Sequence, residues 1–165
     1  MVLDLRKLFL NDGESQAVNC EFDFSEVEIF GGYPLKQPVK LKGLIENRAG
    51  VVEFRCDCVV TYDAPCDRCY VDTVGEYVIP VVKTLVHELE NEDDDEFLLL
   101  KDYKLDVKEL CYEEVIPNLP SKHLCNPNCI GVCQKCGINL NQGECDCETE
   151  TVDPRLQKLK ELLKD

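Results

Sequence analysis

An α+β fold is the expectation, and three observations carry it: alternating apolar and polar residues through the first half, one well-capped helical segment after them, and a cysteine-dense stretch before a short leucine-bearing tail. The first half should form a twisted antiparallel β-sheet or a partial barrel. Val18, Cys20, Phe22 and Phe24 alternate with Asn19, Glu21 and Asp23, the period of a half-buried strand. After a turn-rich patch at Gly31-Gly32-Tyr33-Pro34, Val39, Leu41, Gly43 and Ile45 alternate with Lys40 and Lys42, and Asn47 to Gly50 reads as a turn. The next strand is the cleanest: Val52, Phe54, Cys56, Cys58, Val60 and Tyr62 share one face. It breaks at Asp63-Ala64-Pro65, and Val71 to Val86, rich in β-branched residues, pairs back as a long hairpin.

Helix signals follow an acidic run. Glu88 to Glu96 carries like charges so densely that a solvated loop is expected, with docking to a basic partner as the other use. Asp106 can cap a helix, with Glu109 placed as in a capping box; Val107, Leu110, Cys111, Glu114 and Val115 share a face, and Pro117 ends the run. Near the end, Asp153-Pro154 is an N-cap followed by proline at the first helical position, and Leu156, Leu159 and Leu163 line one side. The expected segments are a β-rich domain over 1–86, an acidic loop over 87–104, a helix and linker over 105–120, a cysteine-rich segment over 121–150 and a C-terminal helix over 151–165.

Twelve cysteines among 165 residues, against one methionine and no tryptophan, demand an explanation. Secreted domains use thiols for disulfides, whereas closely spaced thiols in a reducing compartment hold metal. Asp4, Arg6 and Lys7 interrupt the N-terminal apolar residues, and no stretch approaches the ~18 apolar residues of a membrane span. A cytoplasmic setting, and hence metal, is the expectation. In Cys125-Asn-Pro-Asn-Cys129-Ile-Gly-Val-Cys133-Gln-Lys-Cys136-Gly137, the final C-x-x-C-G aims two sulfurs at one point, and the glycine permits a left-handed turn behind them. The favoured zinc ligands are Cys133, Cys136, Cys145 and Cys147. Cys125 and Cys129 are rivals for the second pair, and His123 could replace a thiolate or simply sit exposed. Six thiols exceed one tetrahedral site. A second site on Cys56, Cys58, Cys66 and Cys69 competes with plain core packing of Cys56 and Cys58 on their strand. Cys20 and Cys111 fall on apolar faces and read as core, while Arg68 would offset thiolate charge.

Catalysis finds few candidates. Pro65-Cys66-Asp67-Arg68-Cys69 matches half of a zinc-deaminase signature, but the H-x-E half that should stand upstream is missing, since both histidines, His87 and His123, lie downstream. No βαβ pattern surrounds the C-x-x-C, and there is no phosphate-binding glycine loop or G-x-S-x-G. A non-enzymatic protein is expected. Its net charge of -15, from 33 acidic against 18 basic residues, repels nucleic acid at long range and favours a basic protein partner.

A strand leading into Cys66-Asp67-Arg68-Cys69, an acidic stretch, then Leu124-Cys125, Cys129, Gly131-Val132-Cys133, Cys136-Gly137, Asn139-Leu140-Asn141 and Cys145-Asp146-Cys147, closed by Asp153-Pro154-Arg155-Leu156, resembles the YceD family over nearly the whole chain. Members are bacterial and plastid proteins described as large ribosomal RNA subunit accumulation proteins. The resemblance implies a cytoplasmic role in ribosome biogenesis and brings no catalytic residues. The preferred reading is an acidic adaptor for a basic ribosomal protein or pre-ribosomal particle, with zinc as scaffold. One alternative is direct RNA binding through Lys36, Lys40, Lys42 and Arg48. Another is redox sensing by Cys66 and Cys69.

Overall fold

The computed structural model describes residues 1–88 and 97–147. Most of the acidic run and the whole expected C-terminal helix lie outside the described residues. The order of elements is β1 (Val2–Asp4), α1 (Arg6–Leu10), β2 (Ser15–Phe22), β3 (Val39–Arg48), β4 (Val51–Pro65), β5 (Asp72–Val86), β6 (Phe97–Leu99), β7 (Lys104–Asp106) and α2 (Val107–Val115).

Strands β2 to β6 form a five-stranded sheet in sequence order, and β1 pairs with β7 in a separate ladder. The first four strands are antiparallel, as the alternation leads one to expect, but β6 runs parallel to the end of β5, with Thr84 opposite Phe97. The hairpin β3–β4 turns through Ala49 and Gly50, both at positive φ, which suits the right-handed twist of the flanking strands. Asn47, expected in that turn, is instead a buried strand residue. Its Nδ2 donates to the Leu8 carbonyl at 2.8 Å and its Oδ1 accepts from the Gly50 amide.

One face of β4 builds the core. Val52, Phe54, Cys56, Cys58, Val60 and Tyr62 are all buried, and Leu41 and Ile45 of β3 and Val81 and Leu85 of β5 extend the same surface. Helix α2 covers it with Val107, Leu110, Cys111 and Val115. Its Glu114 reaches Lys83 of β5 at 2.7 Å. Asp106 caps it, accepting from the amides of Lys108 and Glu109. The N-terminal residues, which carry no strand or helix expectation, close the end of this core: Leu5 and Leu8 are buried, and β1 holds β7 in register. Among the described residues no helix is long and apolar enough to cross a membrane.

Candidate metal centres

Eight of the twelve cysteines gather into two sets of four. Cys66, Cys69, Cys125 and Cys129 form one, Cys133, Cys136, Cys145 and Cys147 the other, and within each set the sulfurs all lie within 4.8 Å of one another. The first set joins distant parts of the chain. Strand β4 ends at Pro65, β5 begins at Asp72, and the connecting loop carries Cys66 and Cys69. Its neck is closed by the Cys66 amide donating to the Val71 carbonyl. The segment after α2 then docks on this loop. Asp67 and His123 exchange two bonds there: the Asp67 amide donates to the His123 carbonyl at 2.9 Å, and the His123 amide donates to the Asp67 carboxylate at 2.6 Å. Arg68 donates through Nη1 to the Cys129 carbonyl at 2.6 Å, so it grips the backbone behind a thiol rather than the sulfur itself. Gly131, at φ 91°, sits so close that a Cβ there would stand 2.9 Å from the Arg68 carbonyl oxygen.

Both C-x-x-C turns have the same construction. The amide of Tyr70 donates to the Cys66 carbonyl and that of Gly137 to the Cys133 carbonyl, each at 2.9 Å. The amides in each turn point at the first sulfur. Burial opposes ionisation of Cys66, yet the amides of Cys125, Arg68 and Cys69 hold its thiol down at about 6. The amides of Cys136 and Lys135 hold Cys133 at about 6 in the same way. Crowding does the opposite to other members: Cys69 beside Cys125 pushes that thiol up to about 12, and Cys136 beside Cys147 pushes it to about 12. Asn141 stands at the junction, donating to Cys129 Sγ at 3.3 Å and accepting from the Ile130 amide at 2.9 Å.

The residues present fit a tetrahedral thiophilic cation. Sulfurs ~2.3 Å from such an ion stand about 3.8 Å apart. Cys66 and Cys129 are 3.8 Å apart and Cys69 and Cys125 3.5 Å, far beyond a disulfide bond, and all twelve cysteines are free thiols. The apolar cluster around the first set holds only Cys66, Cys69 and Cys129, with Leu124 and Val132 against it. So little apolar surface leaves the ligand set itself to order the segment.

The structure brings together the favoured four, Cys133, Cys136, Cys145 and Cys147, but groups the remaining thiols differently from sequence spacing. Cys125 and Cys129 are not rivals of Cys145 and Cys147: they complete a separate set with Cys66 and Cys69. Cys56 and Cys58 do not join Cys66 and Cys69. They point into the main core from β4, where Cys58 Sγ lies 3.9 Å from Cys111 Sγ of α2. Contact with Cys58, then burial, pushes the thiols of Cys56 and Cys111 up, so these two stay protonated inside the core. Cys20 is half-buried against the same core. His123 is neither exposed nor part of a sulfur set. Its Nδ1 lies 2.9 Å from the Tyr77 hydroxyl and its Nε2 3.1 Å from the Thr73 carbonyl, which only an Nε2 proton can satisfy. One signal for the true grouping lies in the strand alternation: it consigns Cys56 and Cys58 to the core and leaves eight loop cysteines, two tetrahedra's worth.

A β-sheet protein whose hairpin tip and C-terminal segment share four thiols, with four more close behind, belongs to the class of small cysteine-tetrad proteins. More particularly, residues 54–163 match the family described as large ribosomal RNA subunit accumulation protein YceD, and the chain belongs to that family. The match spans most of β4, all of β5 and α2, and all eight clustered cysteines. An uncharacterized protein of Mycobacterium bovis and counterparts in two Mycobacterium tuberculosis strains are each 28% identical over 102 residues, 59% of this chain and 49% of theirs. The chain thus spans about half the length of these curated relatives. No solved structure matches it.

Proposed function

We propose that this chain is a non-enzymatic, cytoplasmic ribosome-biogenesis factor that supports accumulation of large-subunit ribosomal RNA, acting as an acidic adaptor for a basic ribosomal protein or pre-ribosomal particle. Zinc on both cysteine sets serves as scaffold. The observation that carries the reading is the closed, all-protein character of each four-sulfur set, in a chain of the YceD family. Catalytic zinc keeps a ligand position open, whereas four protein thiolates define a structural site. Cys66 to Cys69 and Cys133 to Cys136 would hold the ion as knuckles, and the amides aimed at Cys66 and Cys133 would steady their thiolates.

Electrostatics support a basic partner over RNA. The four cations suggested for RNA contact are matched by carboxylates: Lys36 lies 2.8 Å from Asp63 and Arg48 2.9 Å from Glu46, while Lys40 is opposite Glu21 and Lys42 opposite Asp57. Each Zn²⁺ on four thiolates also adds two negative charges to a chain already at -15. The redox alternative is opposed by Cys66, which is fully buried within its sulfur set.

Deleting the gene and measuring the ratio of large- to small-subunit ribosomal RNA, with the zinc-replete protein tested for co-sedimentation with precursor particles, decides the matter. A fall in the ratio and co-sedimentation are expected. An unchanged ratio would overturn the role, and tight binding of naked ribosomal RNA at moderate salt would replace the adaptor with an RNA-binding protein.

A further inference from the structure

The two knuckles differ at one telling position. The residue after the second C-x-x-C is Gly137, at φ 74°, a conformation that glycine adopts freely. The matching residue in the first is Tyr70, at φ 61°. A bulky residue in the left-handed region is a genuine outlier. Its side chain is 72% exposed, so burial does not compensate. Phe30 repeats the pattern at φ 51° and 91% exposure, on a turn closed by mutual bonds of 2.8 and 3.1 Å between Ile29 and Gly32. Both rings, together with the exposed Tyr33, line a single groove of about 780 Å³ that runs past Asp63 and Asp67. Apolar rings held in water on strained backbone are found where a ligand is clamped.

The chemistry of the groove selects its occupant. Lys36 on the wall is tied to Asp63 and Lys122 also lines the groove, but the chain as a whole, at net charge -15, repels phosphate at long range. Open aromatic faces on a chain of this net charge suit a planar, weakly hydrated cation, and guanidinium stacks on such rings better than a compact ammonium does. We infer that the groove docks an extended, arginine-bearing segment of a basic protein, with guanidinium groups over Phe30, Tyr33 and Tyr70. This rests on the adaptor reading above and names the grip it would use.

The test uses the zinc-replete full chain and labelled probes read by fluorescence anisotropy: an arginine–glycine repeat peptide, a lysine–glycine peptide of equal length, and an oligouridylate. The arginine peptide should bind several-fold more tightly than the lysine peptide. Phe30→Ala and Tyr70→Ala should each weaken the arginine peptide roughly 2- to 5-fold and leave the lysine peptide unmoved. Phe30 lies outside the cysteine segments, so its variant remains decisive even where Tyr70→Ala disturbs metal content. Equal affinity for the two peptides, an inert Phe30→Ala, or preference for the oligouridylate would each overturn the inference. Co-sedimentation with precursor particles without arginine preference sinks the groove alone, whereas arginine preference without particle binding upholds the groove and sinks the adaptor.

Discussion

Asn47 shows how much one side chain can secure. Its amide group closes the end of α1 at the Leu8 carbonyl and its oxygen holds the hairpin turn at the Gly50 amide, while its backbone bonds Gly13 and Glu14. The residue is 1% exposed, so none of these groups can turn to water instead. Asn47→Ala should therefore cost about 1–3 kcal/mol, the penalty for leaving the buried Leu8 carbonyl unpaired, read as a lower urea midpoint at unchanged slope. A loss within a few tenths of a kcal/mol would show that water reaches the cavity. The alternation of Val39, Leu41, Gly43 and Ile45 points position 47 inward, but Asn-Arg-Ala-Gly is ordinary turn composition, and contact with a helix 39 residues away is what makes the asparagine core. His123 eluded the same kind of reading, because its partners Tyr77 and Thr73 lie on β5. Residues whose role rests on covalent neighbours, such as Gly137 and Asp106, were plain from sequence.

Helix α2 is the element whose limits were most legible, since its cap, its apolar face and its terminating proline are all local signals. The Asp106 cap also titrates. Burial works to raise its carboxyl, but the amides of Lys108 and Glu109 and the N-terminal ammonium outweigh it and hold the group below the ordinary aspartate value. A depressed folded-state value means that the cap's contribution is fully present above the unfolded value, near 3.9. It is lost as pH falls through the lower, folded value. Asp106→Ala should cost about 1 kcal/mol at neutral pH. Stability of wild type and variant, compared by denaturant unfolding from pH 7 downward, should differ by a constant amount until pH falls below the carboxylate range, then converge. Asp106→Asn, which caps without charge, should lie near wild type throughout that upper range. A difference that grows on acidification would contradict the assignment. Strand β6 was less legible than α2: three residues after an acidic run carry too little alternation to announce a strand, still less a parallel one.

At the scale of the molecule, two kinds of cohesion divide the chain. The sheet and α2 share one apolar core built on β4, and its cysteines Cys56, Cys58 and Cys111 lie outside both sulfur sets. Residues 121–147 touch that body through the Asp67–His123 exchange, the His123 ring on Tyr77 and Thr73, the Arg68 grip and the first four-sulfur set, with little apolar surface of their own. The second set involves cysteines from the C-terminal segment alone. Spacing made this second set readable, since its ligands are neighbours in sequence, whereas the first closes across 56 to 63 residues and needs the β4–β5 hairpin to bring it together. The arrangement makes the two sites separable. Elemental analysis should find two zinc ions per chain. Cys69→Ser and Cys136→Ser should each lose one, and only the former should free residues 121–131 from the hairpin tip. Amide hydrogen exchange checks this directly: a strong chelator should abolish protection at Cys129, Cys133 and Gly137 while the β3, β4 and β5 amides keep theirs. Collapse of protection in β4 together with the cysteine segment would mean that the metal holds the whole fold, and a metal-free parent protein with full protection would mean that thiols alone suffice.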